Sequence, residues 1–122
     1  MLGNRKGDKS MIIKVATDYT DTPGARYYIQ GPFPGEEFRD KLLYPKYLEC
    51  YKNNEILTVD LDGGYGYGSS FLEEAFGGLI RRLKSEKKDY KKTIELIKII
   101  SNDDISWVSK IDKYMKDEIN KK

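Results

Sequence analysis

The chain has 122 residues, one cysteine, no histidine, and 22 Lys+Arg against 20 Asp+Glu, for a formal charge of +2. Without histidine, Ser-His-Asp and Cys-His catalysis and His-ligated zinc are excluded, and Cys50 alone supports neither a disulfide framework nor a Cys-rich zinc site. The near-balanced charge removes the basic excess that marks a nucleic-acid binder. A mean hydropathy of −0.69 and the lack of any apolar run near the roughly 20 residues that span a bilayer predict a soluble, cytoplasmic chain.

Residues 1–10 (MLGNRKGDKS) read as a flexible polar leader without the apolar core of a secretory signal, and residues 11–122 as one folded domain. Met11–Thr17 (MIIKVAT) has strand composition, Asp18–Gly24 is dense in turn formers, and Ala25–Gln30 (ARYYIQ) reads as a second strand, so an antiparallel hairpin is expected. After the breaker GPFPG, Phe38, Leu42 and Leu43 begin a helical spacing. Pro45 either interrupts it or starts a second helical piece that carries Tyr47, Leu48 and Tyr51. Glu55–Leu61 (EILTVDL) is the expected central strand, and Asp62–Gly68 (DGGYGYG) a glycine loop at its carboxyl end.

From Ser69 to Lys84, seven apolar residues including Phe71, Phe76 and Leu83 fall on one helical face. Ser70-Phe71-Leu72-Glu73 fits the capping box S-x-x-E, which would commit the Ser70 oxygen to the helix and leave Ser69 free. Ser85–Lys92 is a charged, solvated connection, Thr93–Ile100 (TIELIKII) a further strand, and Ile105 to Ile119 a closing amphipathic helix with cap candidates at Asn102–Asp104. The order is β-β-α-β-α-β-α. It predicts an α/β single domain with a mixed sheet of about four strands, with functional groups at the strand carboxyl ends.

Strand, glycine loop and helix start make an anion-receptive geometry around Gly66, Gly68 and Ser70. The P-loop lysine after the last glycine is missing, and so is the third glycine of the dinucleotide fingerprint. A phosphate or nucleotide cradle at Gly63–Gly68 therefore stands as the alternative reading, and no cofactor is expected. Asp60 and Asp62 share one side of a strand, where such aspartates usually bind backbone amides rather than a metal. Tyr65 and Tyr67 alternate in the loop, where exposed tyrosines suit a protein interface. Gly77-Gly78 inside a helix costs about 1 kcal/mol per glycine and implies close approach by another element.

The stretch Gly68–Leu79 (GSSFLEEAFGGL), after a strand ending VDLDG, resembles the STAS-like family of uncharacterised bacterial proteins, relatives of the STAS domains of anti-sigma-factor antagonists. Gly35–Pro45 and the closing strand and helix resemble it too. Broader STAS domains carry Asp-Ser-Ser/Thr-Gly at this helix start, where the first serine accepts phosphate from an anti-sigma kinase and phosphate blocks binding. By position, Ser69 matches the phosphoacceptor and Ser70 the second hydroxyl. Gly68 stands where that signature has Asp, and Phe71 where it has Gly. The resemblance implies a non-catalytic adaptor whose partner is a histidine-kinase-like ATPase or anti-sigma-like factor. The expected binding face joins Tyr65, Tyr67 and Ser69 to Glu74 and Arg81 on the helix that Glu73 caps.

Overall fold

The computed structural model describes residues 11–122; the leader assigned to residues 1–10 lies outside them. Three strands, β1 (Met11–Lys14), β2 (Leu57–Asp60) and β3 (Ile97–Ile100), form one sheet in the order β1-β2-β3. Both pairings are parallel, with Met11 opposite Leu57 and Leu57 opposite Ile97. The expected mixed sheet of about four strands is therefore corrected to three parallel strands among the described residues. The strand predicted at Ala25–Gln30 does not form: a 3-10 turn occupies Tyr28–Gln30. The run has β-prone side chains, but Gly31, Pro32 and Pro34 cut it short, and a strand needs a neighbour to pair with.

α1 is one turn (Val15–Asp18) that ends the first apolar run early. α2 (35–53) and α3 (69–85) are each continuous, and each contains a π-helical turn, at Arg39–Leu43 in α2 and at Glu73–Gly77 in α3. Pro45 lies at the start of the α-helical section Tyr44–Asn53, just past the π turn, so it starts a second piece without breaking the helix. Asn54 closes α2 in the left-handed conformation with φ 54°, which asparagine tolerates better than most residues. A short helix α4 (Thr93–Leu96) takes the first half of the run expected as strand and leaves Ile97–Ile100 as β3. α5 (Ser106–Asn120) closes the chain. Among the described residues, no helix is long and apolar enough to cross a membrane.

Alternation along the strands sorts the sheet into two faces. Ile13, Leu57 and Val59 are fully buried and join Phe38, Leu43, Tyr47, Phe71, Phe76, Leu79 and Ile111 in one core. On the opposite face, Ile12, Lys14 and Lys98 are exposed. The aromatic rings of Tyr19, Phe38 and Phe71 meet over the sheet at centroid separations of 5.5–6.4 Å. Cys50 is fully buried in this core, and burial is the main cause pushing its thiol up to about 11. Its labelling by a disulfide reagent at pH 8 is therefore expected to run at the rate of global unfolding; rapid labelling of the native protein would contradict this placement.

Candidate functional site

The loop 61–68 leaves the carboxyl end of β2 and enters α3 at Gly68 in extended conformation, φ −86° and ψ 150°. Gly63 and Gly66, with φ of 95° and 119°, supply the left-handed positions of its turn. The strand-end aspartates serve backbone: Asp60 accepts from the Asp62 amide at 2.9 Å, and Asp62 accepts from the amides of Asn102 and Asp103 at 2.7 and 2.8 Å. Among the described residues, no group of three or more potential ligands could hold a metal.

Several loop amides are already taken. The Gly63 amide donates to the Asp103 carboxylate at 3.0 Å, and the Tyr65 amide donates to the Asp21 carbonyl at 2.9 Å. The Asp60 and Asp103 carboxylates thus occupy the Asp62 and Gly63 amides at the start of the loop. Tyr65 is 85% exposed. Tyr67 is half-buried instead: its hydroxyl donates to the Leu61 carbonyl at 3.0 Å and its ring lies 5.8 Å from Phe71. Burial, then the charges of Asp60, Asp62 and Asp103, hold that hydroxyl well above the ordinary phenol range. Tyr67 thus braces the loop, and the expectation of two exposed tyrosines holds for Tyr65 alone.

Ser69 and Ser70 are both exposed, and neither hydroxyl bonds another described residue. The capping box is not formed. α3 begins two residues earlier than the motif requires, with Gly68 at the cap and Ser70 already inside. Glu73 turns instead to two arginines, bonding Arg26 and, at 2.8 Å, Arg81. Burial pushes the Glu73 carboxyl up, but the hydrogen bonds from Arg81 and Arg26 outweigh it and hold the group below the usual carboxylate range. The asymmetry between the two serines that the cap implies is absent; both hydroxyls are open.

The expectation of Glu74 on the binding face is corrected, because it is only 7% exposed. It joins Arg39 of α2, Arg81 at 3.1 Å and Arg26 at 3.4 Å. Arg81 also meets Glu118 of α5 at 2.7 Å, so it ties α3 to α5 rather than standing free. Gly77 and Gly78 leave the space for this network. A Cβ on Gly77 would lie 2.6 Å from a Glu73 carboxylate oxygen, and one on Gly78 2.6 Å from an Arg39 guanidinium nitrogen. The close approach by another element is met at Gly78, by Arg39 of α2, while the atoms nearest Gly77 belong to α3 itself. Arg26, Arg39 and Glu118 carry no local mark of this network, since the α3 residues they meet lie 35–48 residues away in the chain. An open cleft of about 740 Å³ runs over the network, with Arg82 on its wall bonded to Asp40 at 3.1 Å and Glu86 at 3.0 Å.

Segment 24–36 flanks the same corner. The Gly35 and Glu36 amides donate to the Ala25 and Arg26 carbonyls at 2.9 and 3.0 Å, and the Gly24 amide to the Phe33 carbonyl at 2.8 Å, which pinches residues 27–32 into a closed loop.

The arrangement is a single α/β domain. Its parallel sheet hands its central strand, through a glycine loop, to a helix whose first turn carries two exposed serines. Residues 34–107 match the family model of the STAS-like domain of unknown function (DUF4325), and the chain belongs to that family. No curated protein and no solved structure matches the chain.

Proposed function

We propose that this STAS-like domain is a non-catalytic regulatory adaptor that docks on a histidine-kinase-like ATPase or anti-sigma-like factor in the cytoplasm, with Ser69 as the switch. The observation that supports it is the first turn of α3. Two serine hydroxyls stand exposed there, bonded to no other described residue, on a helix whose opposite side is buried. A phosphate on Ser69 sits at the positive end of a continuous helix, which favours the added charge. It also places about two negative charges where a partner must approach, which breaks a close-packed interface. The occupied amides and the carboxylates of the glycine loop weigh against a nucleotide cradle, so titration with ATP and Mg²⁺ is expected to give no binding.

The test is affinity, by interferometry, for purified histidine-kinase-like ATPases of the same genome. Wild type and Ser69→Ala are expected to bind one of them, with Ser69→Glu weakened at least tenfold and its thermal midpoint unchanged. Equal binding of Ser69→Glu would end the switch, and absence of any binding by wild type would end the adaptor reading.

A further inference from the structure

We infer that Arg26 is the internal receptor for a phosphate on Ser69, gripping it within the same chain against the flank of α3; this deepens the Ser69 switch proposed above and rests on it. The phosphoryl group comes from the kinase's ATP, replaces the Ser69 hydroxyl proton and leaves ADP behind, so the corner gains about two negative charges. Ser69 and Glu73 stand one turn apart on α3, since the Glu73 amide donates to the Ser69 carbonyl. Side chains so placed lie about 5–6 Å from one another on a helix. A phosphate on Ser69 therefore adds its charge beside the Glu73 carboxylate, a repulsion that a shared cation relieves.

Arg26 is the cation already in place. Its Nη1 bonds the Glu73 carboxylate and lies 3.4 Å from that of Glu74. Its Nε and Nη2 donate to no other described residue, and the side chain is 28% exposed. A guanidinium presents its donors as a fork that matches two phosphate oxygens. The present bonds of Arg26 are also redundant: Glu73 holds Arg81 at 2.8 Å, and Glu74 holds both Arg39 and Arg81. Turning Arg26 to a phosphate thus strands neither carboxylate. The other two arginines are committed. Arg81 is shared among Glu73, Glu74 and Glu118, and Arg39 is only 12% exposed between Asp40 and Glu74.

The backbone of Arg26 is anchored beside the same turn. Its carbonyl accepts from the Glu36 amide at 3.0 Å, and the adjoining Gly35 abuts the backbone of Phe71 in the first turn of α3. A receptor fixed in advance loses little conformational freedom when it engages. The phosphate is then held and partly neutralised by this chain before any partner meets it. Arg26 lies before residue 34, where the family match begins, so the receptor stands outside the matched span.

The experiment uses the full chain with Ser69 phosphorylated during synthesis, and it needs no partner. Phosphorus NMR follows the second ionisation of the phosphate, ordinarily at about 6. A cation beside the phosphate favours the dianion, so the midpoint is expected about one unit lower in wild type than in Arg26→Gln, with Arg26→Lys between them. Equal midpoints in wild type and a folded Arg26→Gln overturn the receptor. Wild type alone gives a second readout that does not depend on the variant's folding. Its Arg26 Nε–H resonance is expected to move with the phosphate titration, and a resonance that ignores phosphorylation overturns the receptor as well. Binding of the histidine-kinase-like ATPase separates the receptor from the switch. Binding lost on phosphorylation, with equal midpoints, removes Arg26 and leaves the switch standing. A lowered midpoint in a chain that binds its ATPase equally well with and without the phosphate supports the contact and ends the switch.

Discussion

Glu74→Ala is expected to cost about 3 kcal/mol of stability, read as a lower urea midpoint with an unchanged slope. Glu74 is buried between three arginines, and Arg39 is itself nearly buried against it. Removing one member of a buried ion pair strands the other charge, which costs roughly 3–5 kcal/mol; Asp40 remains bonded to Arg39 and keeps the loss at the lower end. The exposed pair Lys113–Asp117 on α5 is the control, and Lys113→Ala is expected to leave the midpoint unchanged. The same network gives a pH dependence. Glu73 is held below its unfolded value, so its contribution is complete above the ordinary carboxylate range and is lost as pH falls through the depressed folded value. Thermal midpoints measured from pH 7 down to 3 should therefore drop at the acid end, and less steeply in Glu73→Gln.

Gly35→Val is expected to cost about 3 kcal/mol as well, by a different mechanism. Gly35 opens α2 against the first turn of α3, where any Cβ would run into the Phe71 carbonyl oxygen. The obstacle is backbone on a packed helix, so relief requires α2 and α3 to part, and overpacking of this kind costs about 1–3 kcal/mol or more. Gly68 is the contrast: it has an ordinary extended φ, and a methyl group added there would meet nothing within 4 Å, so Gly68→Ala should melt like wild type. A tolerated Gly35→Val would mean that the two helix starts are not fixed to each other.

The residues that the pattern makes legible are those whose role is local or periodic. Val59 and Leu57 read as a central strand and are fully buried in one; Phe71 through Leu83 read as an amphipathic helix and bury that face. The glycine loop and its serines are visible because turns and helix starts have short-range chemistry. Ala25–Gln30 misleads because side-chain preference says nothing about whether a pairing partner exists. Thr93–Leu96 misleads because a short apolar run fits a helical turn as well as a strand. Glu73 reads as a capping acid and Glu74 as part of an exposed binding face, and only the meeting of Arg26, Arg39 and Arg81 from three separate segments makes them a shared network.

The two π turns lie against each other, Arg39–Leu43 in α2 and Glu73–Gly77 in α3, at the level where Arg39 reaches Glu74. A π turn holds one residue more than regular winding, so each helix changes phase by roughly 100° at that level. Deleting a single residue within the π turn would restore uniform winding and keep the downstream faces in place, whereas a deletion beyond it would rotate the residues that follow by roughly 100°, carrying Leu83 out of the interior. Shortening either helix by one position outside its π turn should thus do more harm than the same deletion inside it: register, rather than composition, is the quantity these two helices keep in common.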